Sequence, residues 1–352
     1  MSRKSQIALV ASIATAVAAG GATAAKRHVR VQREQARAEV GSLLARGRYD
    51  RLRPVTTEDG VALHVEELGP LDAPLTVVFV HGWVCTSQAW IFQRRSLASR
   101  DVRLVFYDQR GHGSSGRPKP ENTDVEILGR DLARVIEAVE PAGRVVIVGH
   151  SMGGMTLMAL AEARPELFGP DALVAAVALL STSSGKLATI SFGFPTALTQ
   201  VTRRLLPRSY AALVRFGDRV EEHRPRGDFT WMLSKYLAFS GNVEPALVEL
   251  METMIAQAPL ATSAGFGAAL LGHDKLAALP VLAVTPTLIM VGASDVLTPV
   301  DHSEAIAEAL PSAELVVQPS CGHMIMLEAP DAVNVQIRRL LRRALAVKGG
   351  RR

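Results

Sequence analysis

The sequence predicts an α/β fold, a mostly parallel sheet flanked by helices on both faces. Unbroken apolar, β-branched runs such as "LTVVFV" (75–80) and "RVVIV" (144–148) alternate with amphipathic helical stretches. Strands covered by helices on both faces carry runs of this kind. The runs end in polar, glycine-containing turns, "HGW", "DQRGHGSS", "GHSMGG", "GASD" and "CGH", at the carboxyl ends of strands where such sheets bind ligands.

Taken in order, Leu52 to Leu68 reads as a hairpin turned at Asp59-Gly60. A buried strand then ends at Gly82, and Ser87 to Ser99 reads as a helix. A second buried strand from Val102 runs into a glycine-rich loop. Thr123 to Glu140 places Val125, Leu128, Leu132, Val135 and Ile136 on one helical face. The strand closing at Val148 leads through a tight turn into a helix that stops at Pro165, and "ALVAAVALL" follows as the sixth strand. "TPTLIMVGASD" is a further strand, Pro299 opens a helix, "AELVVQPSCGH" is the last strand and Pro330 begins a terminal helix.

Residues 185–279 break this rhythm. They hold no strand of the same type and read as apolar helices interrupted by Pro195, Pro207, Pro225, Pro245 and Pro259. A structureless loop of that length is improbable, so a helical lid is expected after the sixth strand. The predicted organisation is an N-terminal segment over 1–50, a core over 51–184 and 280–346, and a lid over 185–279.

Length and composition fit a globular enzyme: 352 residues, 48% hydrophobic, with 28 glycines. Two cysteines provide no disulfide framework. The net charge of +5 is unevenly spread. Residues 1–53 carry 11 basic against 3 acidic side chains and residues 331–352 carry 7 against 1, which leaves the body acidic. A nucleic-acid partner would need a basic face on that body, so none is expected. Ile7 to Ala25 is free of charge, follows Arg3 and Lys4, and precedes the basic "KRHVRVQREQAR". Its length suits an uncleaved membrane anchor with a basic stalk, while Ala22-Thr23-Ala24 suits a signal-peptide cleavage site. Either reading places the protein at a membrane surface or in the cell envelope, with a chain starting near Arg51 expected to be soluble and still active.

The turn "GHSMGG" has the pattern G-x-S-x-G between a strand and a helix, which presents a serine at strained backbone angles. Ser151 is therefore the candidate nucleophile. A serine hydroxyl needs a base oriented by an acid. His323 ends the last strand and supplies the base, and Asp295 ends the strand before it and supplies the acid. The order Ser, Asp, His is the one this architecture uses. The backbone N–H groups of Met152 and Trp83 are the candidate oxyanion donors. Phe192 and Phe194, in "ISFGFPTAL", are candidate walls for an apolar acyl chain.

Across residues 52–345 the chain resembles the α/β-hydrolase fold family. The resemblance rests on His81-Gly82, "DQRGHGSS", "GHSMGG", "VGASDVLTP" and "CGH", five motifs in order. With its apolar N-terminal segment it looks like actinobacterial members of that family. The resemblance implies a serine esterase or lipase-like enzyme that uses no metal or cofactor and acts on a small-molecule ester. Epoxide hydrolases and haloalkane dehalogenases of this fold carry aspartate where Ser151 stands, and epoxide hydrolases tend to carry proline at the place of Val84. Carbon–carbon bond hydrolases have a glycine-rich oxyanion loop that "HGWVCTSQ" lacks. Cofactor-free haloperoxidases and perhydrolases share the triad and the methionine after the serine, so that activity stays open. A non-catalytic binding protein is the remaining alternative.

Other polar residues read as structural. His81, Asp108, Arg110 and His112 belong to loops that the triad needs in place, His150 to packing beside the nucleophile, and His273-Asp274 to a solvated helix end. No H-x-x-x-H or C-x-x-C spacing suggests a metal.

Overall fold

The computed structural model describes residues 22–45, 47, 49–140, 143–169, 171–224, 227–241 and 243–346. Residues 7–21 of the apolar segment lie outside the described residues. The predicted hairpin is four short strands, β1 (Arg51–Leu52), β2 (Val55–Thr56), β3 (Ala62–Leu63) and β4 (Val65–Leu68). β2 and β3 pair antiparallel around the turn at Gly60, whose φ of 86° suits glycine. β1 and β4 join the main sheet, with Arg51 opposite Glu67. Because one predicted hairpin yields four strands, the expected sixth strand is the eighth in the chain.

Five runs form wholly buried strands: β5 (Leu75–Val80), β6 (Val102–Tyr107), β7 (Val145–His150), β8 (Val174–Leu180) and β9 (Thr287–Gly292). β10 (Glu314–Gln318) closes the edge and is only partly covered. The eight-stranded sheet has the order β1-β4-β6-β5-β7-β8-β9-β10, parallel from β6 to β10.

Strand alternation divides the core into two layers. Val77, Phe79, Leu104, Phe106, Val146 and Val148 face α2 (Ile91–Leu97) and the terminal helix. Val78, Val80, Val105, Tyr107, Val145 and Ile147 face α3 (Val125–Val139), α4 (Met152–Ala163) and the helix between β9 and β10. The five apolar positions predicted for one face of α3 are all buried, and Asp124 caps that helix by accepting from the Ile127 N–H at 2.6 Å. The expected helix over 87–99 starts as a 3₁₀ turn at Ser87–Trp90, so the α-helical part is shorter.

Between β8 and β9 the chain makes α5 (Thr196–Val220), α6 (Asp228–Ala238), α7 (Pro245–Ala256) and α8 (Leu260–Leu271). The base of this insertion is closed by a bridge between Gly185 and Asp274 and by the Lys275 N–H donating to Ser184 O at 2.7 Å. Core packing resumes in the 3₁₀ segment Leu276–Val284, where Leu279 and Leu282 join the second layer. The remaining helices are α9 (Val300–Ala309), α10 (Ile325–Glu328) and α11 (Pro330–Ala346). Among the described residues no single helix is long and apolar enough to cross a membrane.

The basic stretch expected to stand apart as a stalk is instead docked. It forms α1 (Ala22–Ala45), which buries Ala36 and Val40 in the first core layer beside α7. Glu249 of α7 is buried and takes Arg33 at 3.3 Å and Arg37 at 2.8 Å, and Arg33 also reaches Asp228 at 3.0 Å. Period and charge identified the helix, but nothing local to it announced its partner. A chain starting at Arg51 would expose the core surface that Ala36 and Val40 cover and lose the ion pairs of Arg33 and Arg37 with Glu249 and Asp228, together a loss of about 3–5 kcal/mol. Calorimetry should show that chain melting about 10 °C below one starting at Ala22. Equal melting temperatures would show that α1 contributes nothing to the fold.

Candidate active site

The strand order reverses at β5: β6 lies on one side of it and β7 on the other. A crevice opens at such a switch point, outside the carboxyl ends of the two strands. Trp83 follows β5 and Ser151 follows β7, so the two motifs meet there.

Ser151 has φ 52° and ψ −120°, a strained conformation for a residue with a side chain. It is held by its N–H donating to Leu180 O at 2.9 Å and by Thr182 Oγ1 donating to its carbonyl at 2.7 Å. The flanking glycines allow the elbow to close. A Cβ on Gly149 would stand 2.6 Å from Gly153 O, and one on Gly153 would stand 2.1 Å from Val80 O. Met152 is the first residue of α4, so its N–H has no carbonyl four residues behind it and lies at the positive end of the helix dipole.

The predicted acid and base are together. His323 Nδ1 lies 2.8 Å from Asp295 Oδ2, and both residues are buried. Asp295 Oδ1 accepts from the N–H groups of Leu297 and Thr298 at 2.9 and 2.8 Å. Thr298 Oγ1 donates to Asp295 Oδ2 at 2.9 Å and lies 3.3 Å from His323 Nδ1. Acceptance of these bonds fixes the carboxylate, which in turn directs Nδ1–H of the imidazole and leaves Nε2 as the basic nitrogen. Ser151 and His323 line one cavity of about 390 Å³, together with Trp83, His150 and Thr298.

Sequence reasoning missed two groups that position this site. Thr298 was quoted within a motif but not singled out; a hydroxyl three residues after an aspartate, in a turn, is the signal that could have found it. Glu328 carries no motif. It accepts from the Gly322 N–H and the Ser240 N–H, both at 2.8 Å, so one carboxylate ties the His323 loop to the end of α6. Burial holds its carboxyl above the ordinary range.

The oxyanion loop is similarly braced. His81 Nδ1–H donates to Gly82 O at 2.8 Å, and Nε2 accepts from the Gln109 N–H at 2.8 Å. Gln109 also donates to His81 O at 2.7 Å and lies 2.8 Å from the Thr156 hydroxyl of α4. Burial pulls His81 down to about 4, so it acts as a neutral brace. Val84 has φ 51°, a conformation β-branched residues avoid, directly after Trp83. The Trp83 indole donates to Ser263 O of α8 at 2.9 Å, which leaves any oxyanion role to its backbone.

The other residues read as structural take up that role, with one exception. Asp108 accepts from the Ser87 and Ser114 N–H groups at 2.7 and 2.8 Å, and Arg110 is buried between Asp59 and Asp131. His112 is buried with Nδ1 3.0 Å from Arg110 O, and desolvation lowers it to about 3. His150 packs 4.8 Å from the His323 ring and its Nε2–H donates to His323 O at 3.0 Å. His273 corrects the reading of a solvated helix end: it is buried, with Nε2 3.1 Å from Ser183 O, because it closes the base of the insertion. Cys85 and Cys321 are free buried thiols, raised by burial to about 12 and about 11, so neither is a thiolate nucleophile. Among the described residues no three His, Cys, Asp or Glu side chains group closely enough to hold a metal.

Of the two phenylalanines expected to face substrate, Phe192 lines the cavity and Phe194 does not. Phe192 (φ 53°) and Gly193 (φ 75°) turn the chain, and the Phe194 ring stacks on Tyr236 at 5.9 Å instead. The apolar wall is completed by Leu187, Ile190, Leu206, Leu213, Leu270 and Leu271.

The chain is similar to known enzymes of this architecture. It is 37% identical over 124 residues to a non-heme chloroperoxidase of Streptomyces lividans, a match spanning 35% of this chain and 44% of that protein. It is 29% identical over 294 residues to a pimeloyl-[acyl-carrier protein] methyl ester esterase of Nitrosospira multiformis, covering 80% of this chain and 99% of that one. A malate-bound thermophilic esterase from Thermogutta terrifontis superposes with a TM-score of 0.66 at 25% identity, covering 84% of this chain and 99% of the other. The model of the alpha/beta hydrolase family matches residues 77–336, and with the switch-point crevice and the strained elbow already in place the chain belongs to that family.

Proposed function

We propose that this α/β hydrolase cleaves carboxylic esters with apolar acyl groups through a Ser151–His323–Asp295 triad. The observation that carries the reading is the Asp295–His323 pair at 2.8 Å, opening on the same cavity as a serine held at positive φ. In the acylation step Ser151 Oγ attacks the ester carbonyl while His323 Nε2 takes its proton. The backbone N–H groups of Met152 and Trp83 receive the carbonyl oxygen as it becomes negative. Collapse expels the alcohol, which leaves with the proton from His323, and water reverses the sequence to free the acid. The esterase relatives support ester substrates, and the leucine-rich wall supports an acyl chain. A fluorophosphonate probe should label Ser151 and nothing else.

Burial of each CH₂ is worth about 0.8 kcal/mol, or about fourfold. On p-nitrophenyl esters, kcat/KM should therefore rise from acetyl to about octanoyl, by as much as fourfold for each added CH₂. A preference for acetyl would remove the acyl-wall assignment while leaving the triad standing.

The chloroperoxidase relative and Met152 after the serine favour a second activity at the same triad, perhydrolysis. In it hydrogen peroxide replaces water as the attacking group and the acyl chain leaves as a peracid. Comparing peracid with acid formed at equal peroxide and ester concentrations separates the two.

The apolar run at residues 7–25 and the basic stretch after it support a membrane-associated or exported protein. Sedimentation of the full chain with membranes checks this.

A further inference from the structure

We infer that the outer face of α5 is a docking surface for an anionic lipid bilayer. The inference does not rest on the catalytic reading. α5 runs for 25 residues with only Thr199 and Gly217 buried, and Leu206, Tyr210 and Leu213 on its inner side line the cavity. At helical spacing beside that inner face stands a second, unburied apolar stripe. Leu198, Val201, Leu205, Phe216 and Val220 are between 41% and 55% exposed. These are large side chains in a row along one helix, which a surface meeting only water does not need.

Charge selects the occupant. Arg204, Arg208, Arg215 and Arg219 flank the stripe on its solvent side. Among the described residues none of the four is in an ion pair with a carboxylate. Arg208 bonds only to a backbone carbonyl, Arg204 O, at 2.7 Å, and Arg215 and Arg219 lie over the Phe216 ring at 5.0 and 5.8 Å. The one acid within the helix, Asp218, pairs outward with Arg117 at 3.6 Å. A row of unpaired guanidinium groups alongside exposed Leu, Val and Phe is the pattern of a helix lying in a bilayer interface. The apolar side chains enter the acyl boundary and the cations meet anionic headgroups. A nucleic acid would use the arginines but leave the stripe in water, and an apolar protein partner would leave the arginines unmet. With α5 about 10 Å thick, lipid on one side would be a single helix away from the cavity on the other.

The test must separate this face from the N-terminal apolar segment, which can hold the chain on vesicles by itself. The full chain carrying Phe216→Cys is labelled with an environment-sensitive fluorophore; the buried Cys85 and Cys321 make the unsubstituted chain the labelling control. Vesicles of equal parts phosphatidylcholine and phosphatidylglycerol should blue-shift the probe, and vesicles of phosphatidylcholine alone should not. Arg215→Glu combined with Arg219→Glu should weaken that response about tenfold or more. Turnover of a short soluble ester by the same double variant should be unchanged, showing that it is folded. Sedimentation with vesicles while the probe stays silent would overturn the assignment of α5 without touching the N-terminal anchor. An equal shift on both vesicle types, or a probe shift with RNA and none with vesicles, would overturn the anionic-lipid assignment.

Discussion

Ser151→Ala abolishes fluorophosphonate labelling and lowers kcat by on the order of 10⁴–10⁶, because triad members act as a unit. Asp295→Asn lowers it by on the order of 10⁴ while leaving the fold intact. The amide can offer Nδ1–H only one oxygen, and the Leu297, Thr298 and Thr298 Oγ1 donors compete to orient that oxygen, so the imidazole loses its imposed tautomer. Thr298→Val provides the graded case. It removes one hydrogen bond to the charged carboxylate and keeps the backbone donors, so a loss of about tenfold is expected. Burst kinetics on an activated ester measure all three. An Asp295→Asn enzyme with wild-type turnover would move the acid elsewhere, and a Ser151→Ala enzyme still labelled would move the nucleophile.

Acid should unfold this protein near pH 5. Four histidines are buried and neutral. Desolvation holds His81 at about 4, His112 at about 3 and His273 at about 4, and it lowers His150 well below the ordinary imidazole value too. The unfolded chain protonates the same groups near 6.5, so below that pH the unfolded state binds more protons and stability falls. The stabilisation is complete above ~6.5 and is lost progressively as pH drops toward the folded values. At about pH 5 His81, His112 and His273 each contribute a loss of about 2 kcal/mol. His64, raised by its hydrogen bond to Glu66, and Glu328, raised by burial, act in the opposite sense and offset part of that loss. That loss is comparable to the whole stability of many domains. Urea midpoints measured from about pH 7 to about pH 5 should fall steeply, with about three protons taken up on unfolding. A flat midpoint over that range would mean that these imidazoles are protonated or hydrated in the native state.

Much of this was legible in the sequence because the parallel sheet is written in long, simple runs. A strand buried on both faces must be apolar at every position, so β5 to β9 were found where they lie, and the polar residues that interrupt the runs marked Ser151, Asp295 and His323. What depended on tertiary contact was not legible. Phe194 shares its composition and neighbourhood with Phe192, but two consecutive residues at positive φ turn it onto Tyr236. His273 sits in a polar stretch that looks solvated, and its burial follows from closing a loop between Ser183 and His273 itself, ninety residues apart in sequence. The docking of α1 on Glu249 joins residues more than two hundred positions apart, beyond the reach of any periodicity.

The Trp83 indole bond to Ser263 has a bearing on how such an enzyme could be re-engineered or diversify. The amide proposed to receive the oxyanion and the helix roofing the pocket are fastened through one side chain. Roof and chemistry are thus inherited as a pair. A foreign insertion grafted between β8 and β9 to alter substrate range would need its own acceptor opposite the indole, or the loop that aims the amide would go slack. Diversity is easier to acquire at α5 and α6, which line the same pocket and do not carry the indole's acceptor.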